Sequence, residues 1–382
     1  MKNQNPPLPT TTVSAATLGA PSPSASTRLP SSPSPRPQST NTRIPATSLA
    51  AATLTATLLP SATFTLTPAP TKTPKASPTP TSTATLVPFA KSRGLAFARD
   101  RGGGQTRQIW LANLAFDANG KLVITGYVQL TTGPHDKSQP AWSPDGSKLL
   151  YVSAGGAASN GLDNGLDIFL LDLSNPSTPP VNLTHRLGDD TFPAWSPDGK
   201  WIALTNNGRS DKVPMIDIMK PDGSGLRRVT VDLQESHPTW SPDMKWLAYV
   251  MSANNLNILY LRDVTTDYAK TQPFDLKTFI DRTGQVADPV WAPSSDLIAY
   301  TRVDSVTTTI YTMPAASRAN VVNKLTSSGK DHSPAWSPDS GWIAFTSERD
   351  GNSEVYVMDS TGKLQTNISN SQGVDMYSAW RP

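Results

Sequence analysis

Four histidines and one recurring acidic position are the side chains of this 382-residue chain whose types and spacing could do chemistry. His135, His185, His237 and His332 all stand shortly before a repeated Trp-containing phrase. Three or four imidazoles gathered in one place would bind a transition metal, and His135, His237 and His332 are the candidate ligands. They precede the marker Trp by seven, three and four residues, and His185 precedes it by ten. Unequal offsets predict unequal depths and poor convergence. The acidic position lies five residues before the marker Trp, where Asp190, Glu235, Asp331 and Asp375 stand, with Lys137 and Val286 in the two other copies. If the repeats close into a ring, these carboxylates have two uses. Each could accept backbone N-H bonds from a neighbouring loop as a latch. Together they could focus negative potential at the mouth of a central channel and attract a cation or a positively charged partner segment.

Other chemistries lack their residues. There is no cysteine, which excludes disulfides, thiolate catalysis and Cys-based zinc or iron sites. No Gly-x-Ser-x-Gly elbow occurs, and Gly155 to Gly161 has the right composition with the wrong spacing. The glycines at 102–104 and 223–225 read as hairpin turns, not phosphate loops. The run from Asp163 to Asp167 lacks the glutamate of a calcium-binding EF-hand loop and reads as a solvated turn. No cofactor is expected.

The elements that must position these residues come from one phrase. It appears at Gln139 to Gly146 (QPAWSPDG), Phe192 to Gly199, His237 to Met244, Asp288 to Ser295 and Ser333 to Ser340, with a truncated copy at Ser378 to Pro382. The marker tryptophans Trp142, Trp195, Trp240, Trp291, Trp336 and Trp380 are 53, 45, 51, 45 and 44 residues apart. That is the period of a four-stranded propeller blade. Ser-Pro-Asp-Gly has hairpin-turn chemistry, and Met244, Ser295 and Ser340 replace its Gly. Those turns must carry strain or take another shape, with Gly341 able to absorb it in the last. A short apolar second strand follows each turn, as at Ile343 to Phe345, then a third such as Val355 to Met358, then a fourth through a Leu-Thr pair such as Leu183-Thr184. No helical period is visible. Gly94 to Ala98 matches the second strand while Ser378 to Pro382 supplies only a first, so one blade is built from both ends of the chain. The expected fold is therefore an all-β six-bladed propeller closed by pairing of its terminal strands, without exposed sheet edges. One marker Trp per blade reads as an inter-blade wedge, whereas Trp201, Trp246 and Trp342, six residues later in three blades, leave a surface role open.

The Pro-Ala-Trp-Ser-Pro-Asp-Gly phrase with its Ile-Ala-Phe partner strand resembles the TolB-type propeller of WD40-like Pro-Asp repeats, over roughly residues 92 to 382. The resemblance implies this fold and bacterial company: the periplasmic TolB of the Tol-Pal system, accessory propellers of serine peptidases, and pectin-degrading lyases that hold a metal near the channel. It implies that the channel mouth binds partners. Three readings follow: a non-catalytic module presenting its loop-rich face to a protein or carbohydrate partner, a metal-dependent polysaccharide lyase, and an inert cap or spacer. The first is preferred, and a monomer is expected.

Residues 1–91 read as a disordered stalk and 92–382 as the propeller. The first ninety residues hold roughly fifty Pro, Thr and Ser and no Asp or Glu, too little apolar surface to offset chain entropy. Thr-Pro units such as Thr71 to Thr81 favour extended polyproline II. The stalk stands where TolB carries an α/β domain. Its Lys2, Arg28, Arg36, Arg43, Lys72 and Lys75 are dispersed singly, which argues against nucleic acid despite a pI near 8.9. The apolar run Ser48 to Leu59 is too short to span a bilayer. Met1 to Thr12 has no signal-peptide pattern, so the expected periplasmic or extracellular location requires a start further upstream.

Overall fold

The computed structural model describes residues 93–100, 105–118, 121–155, 165–208, 213–230, 234–254, 256–264, 277–278, 285–315 and 322–382. The stalk and the loop at Asp163 lie outside the described residues. The strands form six four-stranded antiparallel sheets. The first blade runs inside to outside as Lys137–Trp142, Lys148–Ala154, Leu166–Asp172 and Val181–Asn182. Four blades repeat this order, beginning at Asp190, Gln234, Gln285 and Asp331. The sixth is composite: Asp375–Trp380 is its innermost strand and pairs with Arg93–Arg99, with Leu95 opposite Trp380 and Arg99 opposite Asp375. Strand direction alternates, so the Pro-Asp turns share one face of the ring. The hairpins between second and third strands share the other, with the loops that lead from blade to blade.

Burial explains the closure. Trp142, Trp240, Trp291, Trp336 and Trp380 are 5–9% exposed, each wedged into a core shared with the neighbouring blade. The indole Nε1 of Trp142 donates to the carbonyl of Ala379, that of Trp240 to Ala194 and that of Trp380 to Ala335, so the wedge is also a hydrogen-bonded latch.

The turns follow the phrase with one change of partner. In four of them Ser Oγ donates to Asp Oδ1 at 2.5–2.6 Å and accepts a backbone N-H five residues on at 2.9 Å. Met244 and Ser340 take the left-handed conformation of Gly146 and Gly199, at φ of 59° and 57°. Ser340 carries this strain itself and Gly341 does not. The Leu-Thr pair ends the fourth strand instead of building it. That strand is two residues long, and Thr184, Thr230 and Thr326 accept the N-H of Ile168, Ile216 and Ile310 in the third strand.

Candidate functional site

The position that lines the channel is three residues before the marker Trp. Gln139, Phe192, His237, Asp288, Ser333 and Tyr377 occupy it, one from each blade, around a cavity of about 190 Å³ walled by prolines. The cause is local. Pro140, Pro193, Pro238, Pro289 and Pro334 follow this residue and have no N-H for the ladder. The innermost strand bulges there, with two residues opposing one, as between Ser138 and Ala141, and does so in the sixth blade too, where Ser378 stands in place of the proline. All six residues sit at φ between 47° and 57°. Left-handed backbone costs roughly 1–2 kcal/mol per non-glycine residue and recurs where side chains must be aimed. The displaced N-H groups find side-chain acceptors on the preceding blade: Thr205 for His237, Thr301 for Ser333 and Thr346 for Tyr377. Where Val152 replaces that threonine, the amide of Phe192 donates to Gln139 Oε1 at 2.6 Å.

Thr301→Val tests this account, since Thr301 is 1% exposed and also donates to Asp288 Oδ2 at 3.2 Å. The variant is expected to lose about 1–2 kcal/mol, read as a lower urea midpoint at unchanged slope. Unaltered stability would show that the bulge does not need its acceptor.

The channel is chemically lopsided. Phe192 lies against the His237 imidazole at 3.6 Å between ring centroids, and Tyr377 adds a second aromatic wall. His237 Nε2 sits 3.1 Å from Asp288 Oδ1, while Asp288 Oδ2 accepts from Ser333 N and Oγ. Burial would raise the Asp288 carboxyl, but its hydrogen bonds from His237 and Ser333 and the nearby His237 and His332 charges hold it at about 2. Burial and then the Asp288 charge raise the Tyr377 phenol, which stays neutral. One side thus offers aromatic and proline surface and the other a fixed carboxylate.

The acids read from the sequence are elsewhere. Lys137, Asp190, Glu235, Val286, Asp331 and Asp375 are at most 6% exposed, and none lines the channel cavity. Arg186 grips Asp190 in a bidentate pair at 2.6 and 2.8 Å, Arg349 donates to Asp331 at 2.7 Å, and Arg99 donates to Asp375 at 3.0 Å. Glu235 is buried near Tyr249, whose phenol is raised by burial and then by the Glu235 charge. Lys137 Nζ donates to the His135 carbonyl at 2.6 Å. Arginine is the principal side-chain partner of three of these acids, Asp190, Asp331 and Asp375. The histidines do not converge: His135 is exposed, His237 lines the channel, and His332 lies 3.1 Å from Ser333 Oγ and 3.9 Å from Glu348. Among the described residues no three His, Asp or Glu side chains are placed to hold a metal ion. Of the channel ring only His237 stood out in the sequence. The proline two before five of the six marker tryptophans was the signal for the rest.

A ring of six four-stranded blades, four of them with a Pro-Asp turn, around a lined channel defines a class, the TolB-type propellers. The family described as the TolB beta propeller domain matches residues 125–273 and 274–382, and the chain belongs to it. Tol-Pal system protein TolB of Francisella tularensis is 27% identical over 194 residues, covering 49% of this chain and 41% of that protein. An uncharacterized protein of Agrobacterium fabrum is 28% identical over 167 residues, 42% of this chain and 53% of its own length. The chain spans about half the length of the curated relatives it matches. The crystal structure of TolB from Acinetobacter baumannii is similar at a TM-score of 0.60 and 21% identity, over 76% of this chain and 67% of that one, which is likeness of fold.

Proposed function

We propose that the protein is a non-catalytic interaction module of the cell envelope that takes an extended segment of a protein partner at the channel mouth. The observation that carries this reading is the channel ring, six different side chains held in left-handed backbone around one opening. A lining that is aromatic on one side and ionised on the other suits an occupant that is itself asymmetric, as a peptide segment is. Leu256 and Val306, at tips of hairpins between second and third strands, are 55% and 93% exposed and offer further apolar contacts. The Francisella relatives are named for the Tol-Pal system, which supports an envelope setting. No helix among the described residues is long and apolar enough to cross a membrane. The buried acid and arginine pairs enter as rigid support for the ring.

The test is capture from envelope extract on the full chain, wild type beside Phe192→Ala/Tyr377→Ala. Both side chains are half-buried channel walls, so the variant is expected to melt within a few degrees of wild type. A protein retained by wild type is expected to fall roughly tenfold or more on the variant, the loss typical of central aromatic anchors. Equal capture by both would refute the channel as the docking site.

A further inference from the structure

Trp201, Trp246 and Trp342 occupy one position of the repeat, yet the structure gives them three settings. Trp342 is 4% exposed and packs on Phe116 at 5.4 Å between ring centroids. The Arg227 guanidinium lies over Trp201 at 5.2 Å. Trp246 is half-buried and forms a wall of a groove of about 360 Å³ between the third and fourth blades, on the face of the Pro-Asp turns.

The groove coincides with the one turn that abandons the phrase. Ala292 and Ser294 stand where the other four turns have Ser and Asp, and Ser295 and Asp296 where they have Gly, Met or Ser followed by Ser, Lys or Gly. Without the Ser at Ala292, no carboxylate is drawn into the turn. The acid appears two residues later as exposed Asp296 on the groove rim. Ser294 is tied sideways to the fifth blade, its N donating to Ser340 Oγ at 3.0 Å and its Oγ to the Asp339 carbonyl at 3.2 Å. Ser295 is left on the groove wall with its Oγ buried and without a hydrogen-bond partner among the described residues. Leu261, Trp291 and Ala315 make the floor apolar, and Asp243 faces Asp296 as the second rim carboxylate.

We propose that this groove binds one neutral sugar ring of a glycan, stacked on Trp246 and hydrogen-bonded through its hydroxyls to Asp243 and Asp296. A pyranose has an apolar C-H face for an indole and a rim of hydroxyl donors for carboxylates, which can only accept. The volume lies at the small end of small-molecule sites. Charge selects among ligands. Lys245 Nζ stands 3.4 Å from Asp243 Oδ2 and offsets that negative charge, whereas a neutral hydroxyl still gains a charge-assisted bond. A uronate would meet two carboxylates of its own sign. The Ser241 hydroxyl, followed by Lys245, holds the Asp243 carboxyl below its ordinary value against a weaker effect of burial, so it is ionised at neutral pH. This site lies outside the channel and stands or falls independently of the docking reading.

The test is a titration of the full-length chain with cellobiose and with N,N′-diacetylchitobiose, followed by saturation-transfer NMR and tryptophan fluorescence. Digalacturonate and argininamide serve as anionic and cationic probes. At least one neutral disaccharide is expected to bind, roughly tenfold more weakly to Trp246→Ala and several-fold more weakly to Asp296→Asn, and equally to Trp201→Ala. Asp296 is exposed, so its variant keeps the test meaningful if Trp246→Ala fails to fold. The proposal is overturned if neither neutral disaccharide binds, if both groove variants bind undiminished, or if digalacturonate or argininamide binds in preference.

Discussion

Deleting residues 374–382 is expected to abolish cooperative unfolding, leaving a chain that aggregates or unfolds without a sharp transition. The segment is the innermost strand of a blade whose other three strands lie at the far end of the described chain. Its Trp380 is 5% exposed in a core with Leu95, Phe97, Trp342, Val355 and Val357, and loss of such a side chain alone costs about 3–5 kcal/mol. The deletion also strips Arg99 of Asp375, takes the Ala379 carbonyl from the Trp142 indole, and removes the Arg381 amide bond to Gly94. It exposes the edge of Arg93–Arg99, which then offers unpaired backbone to other chains. Against a total stability of about 5–15 kcal/mol these losses exceed what a domain can absorb. Thermal melts followed by circular dichroism, with size-exclusion chromatography, decide the matter. A truncated protein that melts cooperatively within a few degrees of the full chain would show that the ring does not depend on its closing strand.

Closure was legible because it rests on counting. Leu95 to Ala98 lacked a first strand and Ser378 to Pro382 lacked a second, and the pairing of Leu95 with Trp380 supplies both. Repetition made the wedge legible in the same way, since one Trp per blade at a fixed position has one economical place. The channel lining was hidden by that very logic. The residue three before Trp differs in every blade, so it carries no repeated signature, and only backbone geometry unites Gln139 with Asp288. The proline that follows it in five blades is compatible with a bulge but does not by itself announce one, since the sixth blade bulges at Tyr377 with Ser378 in its place.

The arginines were illegible for a different reason. Asp190, Asp331 and Asp375 share one position, yet Arg186 comes from the loop before the strand, Arg349 from the hairpin after the second strand, and Arg99 from the end of a second strand. A repeat search finds the acids and misses the partners. It therefore leaves the acids looking like free charges, although Asp190, Asp331 and Asp375 are each paired with an arginine.

Those pairs differ in sign of effect, and Asp331→Asn is expected to cost much more than Asp375→Asn. Burial raises both carboxyls. At Asp331 the hydrogen bonds from Ser328, Ser347, Arg349 and Thr326 outweigh it, so the folded protein holds the ionised form below its ordinary value near 3.8. At Asp375 burial wins over the Arg99 hydrogen bonds and charge, and the carboxyl is raised. Asp331 therefore contributes stability that is fully present above the unfolded carboxyl value and is lost as pH falls through the lower folded one. Asp375 has the opposite slope: stability falls as pH rises from near 3.8 through its raised folded value. Removing the Asp331 carboxylate altogether, as in Asp331→Ala, leaves Ser347 Oγ and Arg349 without their acceptor, although Arg349 keeps Gln365 and its seat 4.5 Å above Tyr356. Breaking a buried pair in this way costs about 3–5 kcal/mol, and the Asn variant, which keeps one acceptor oxygen, about 1–3 kcal/mol. Asp375→Asn should lose less at pH 7, because the charge it removes was the disfavoured form. Urea denaturation of wild type and both Asn variants from pH 3 to 7 reads the difference. Asp331→Asn should flatten the acid-side loss of stability, and Asp375→Asn should remove a decline on the way up. Equal costs at pH 7 with parallel pH profiles would show that the two arginine pairs are energetically alike and that burial does not decide between them.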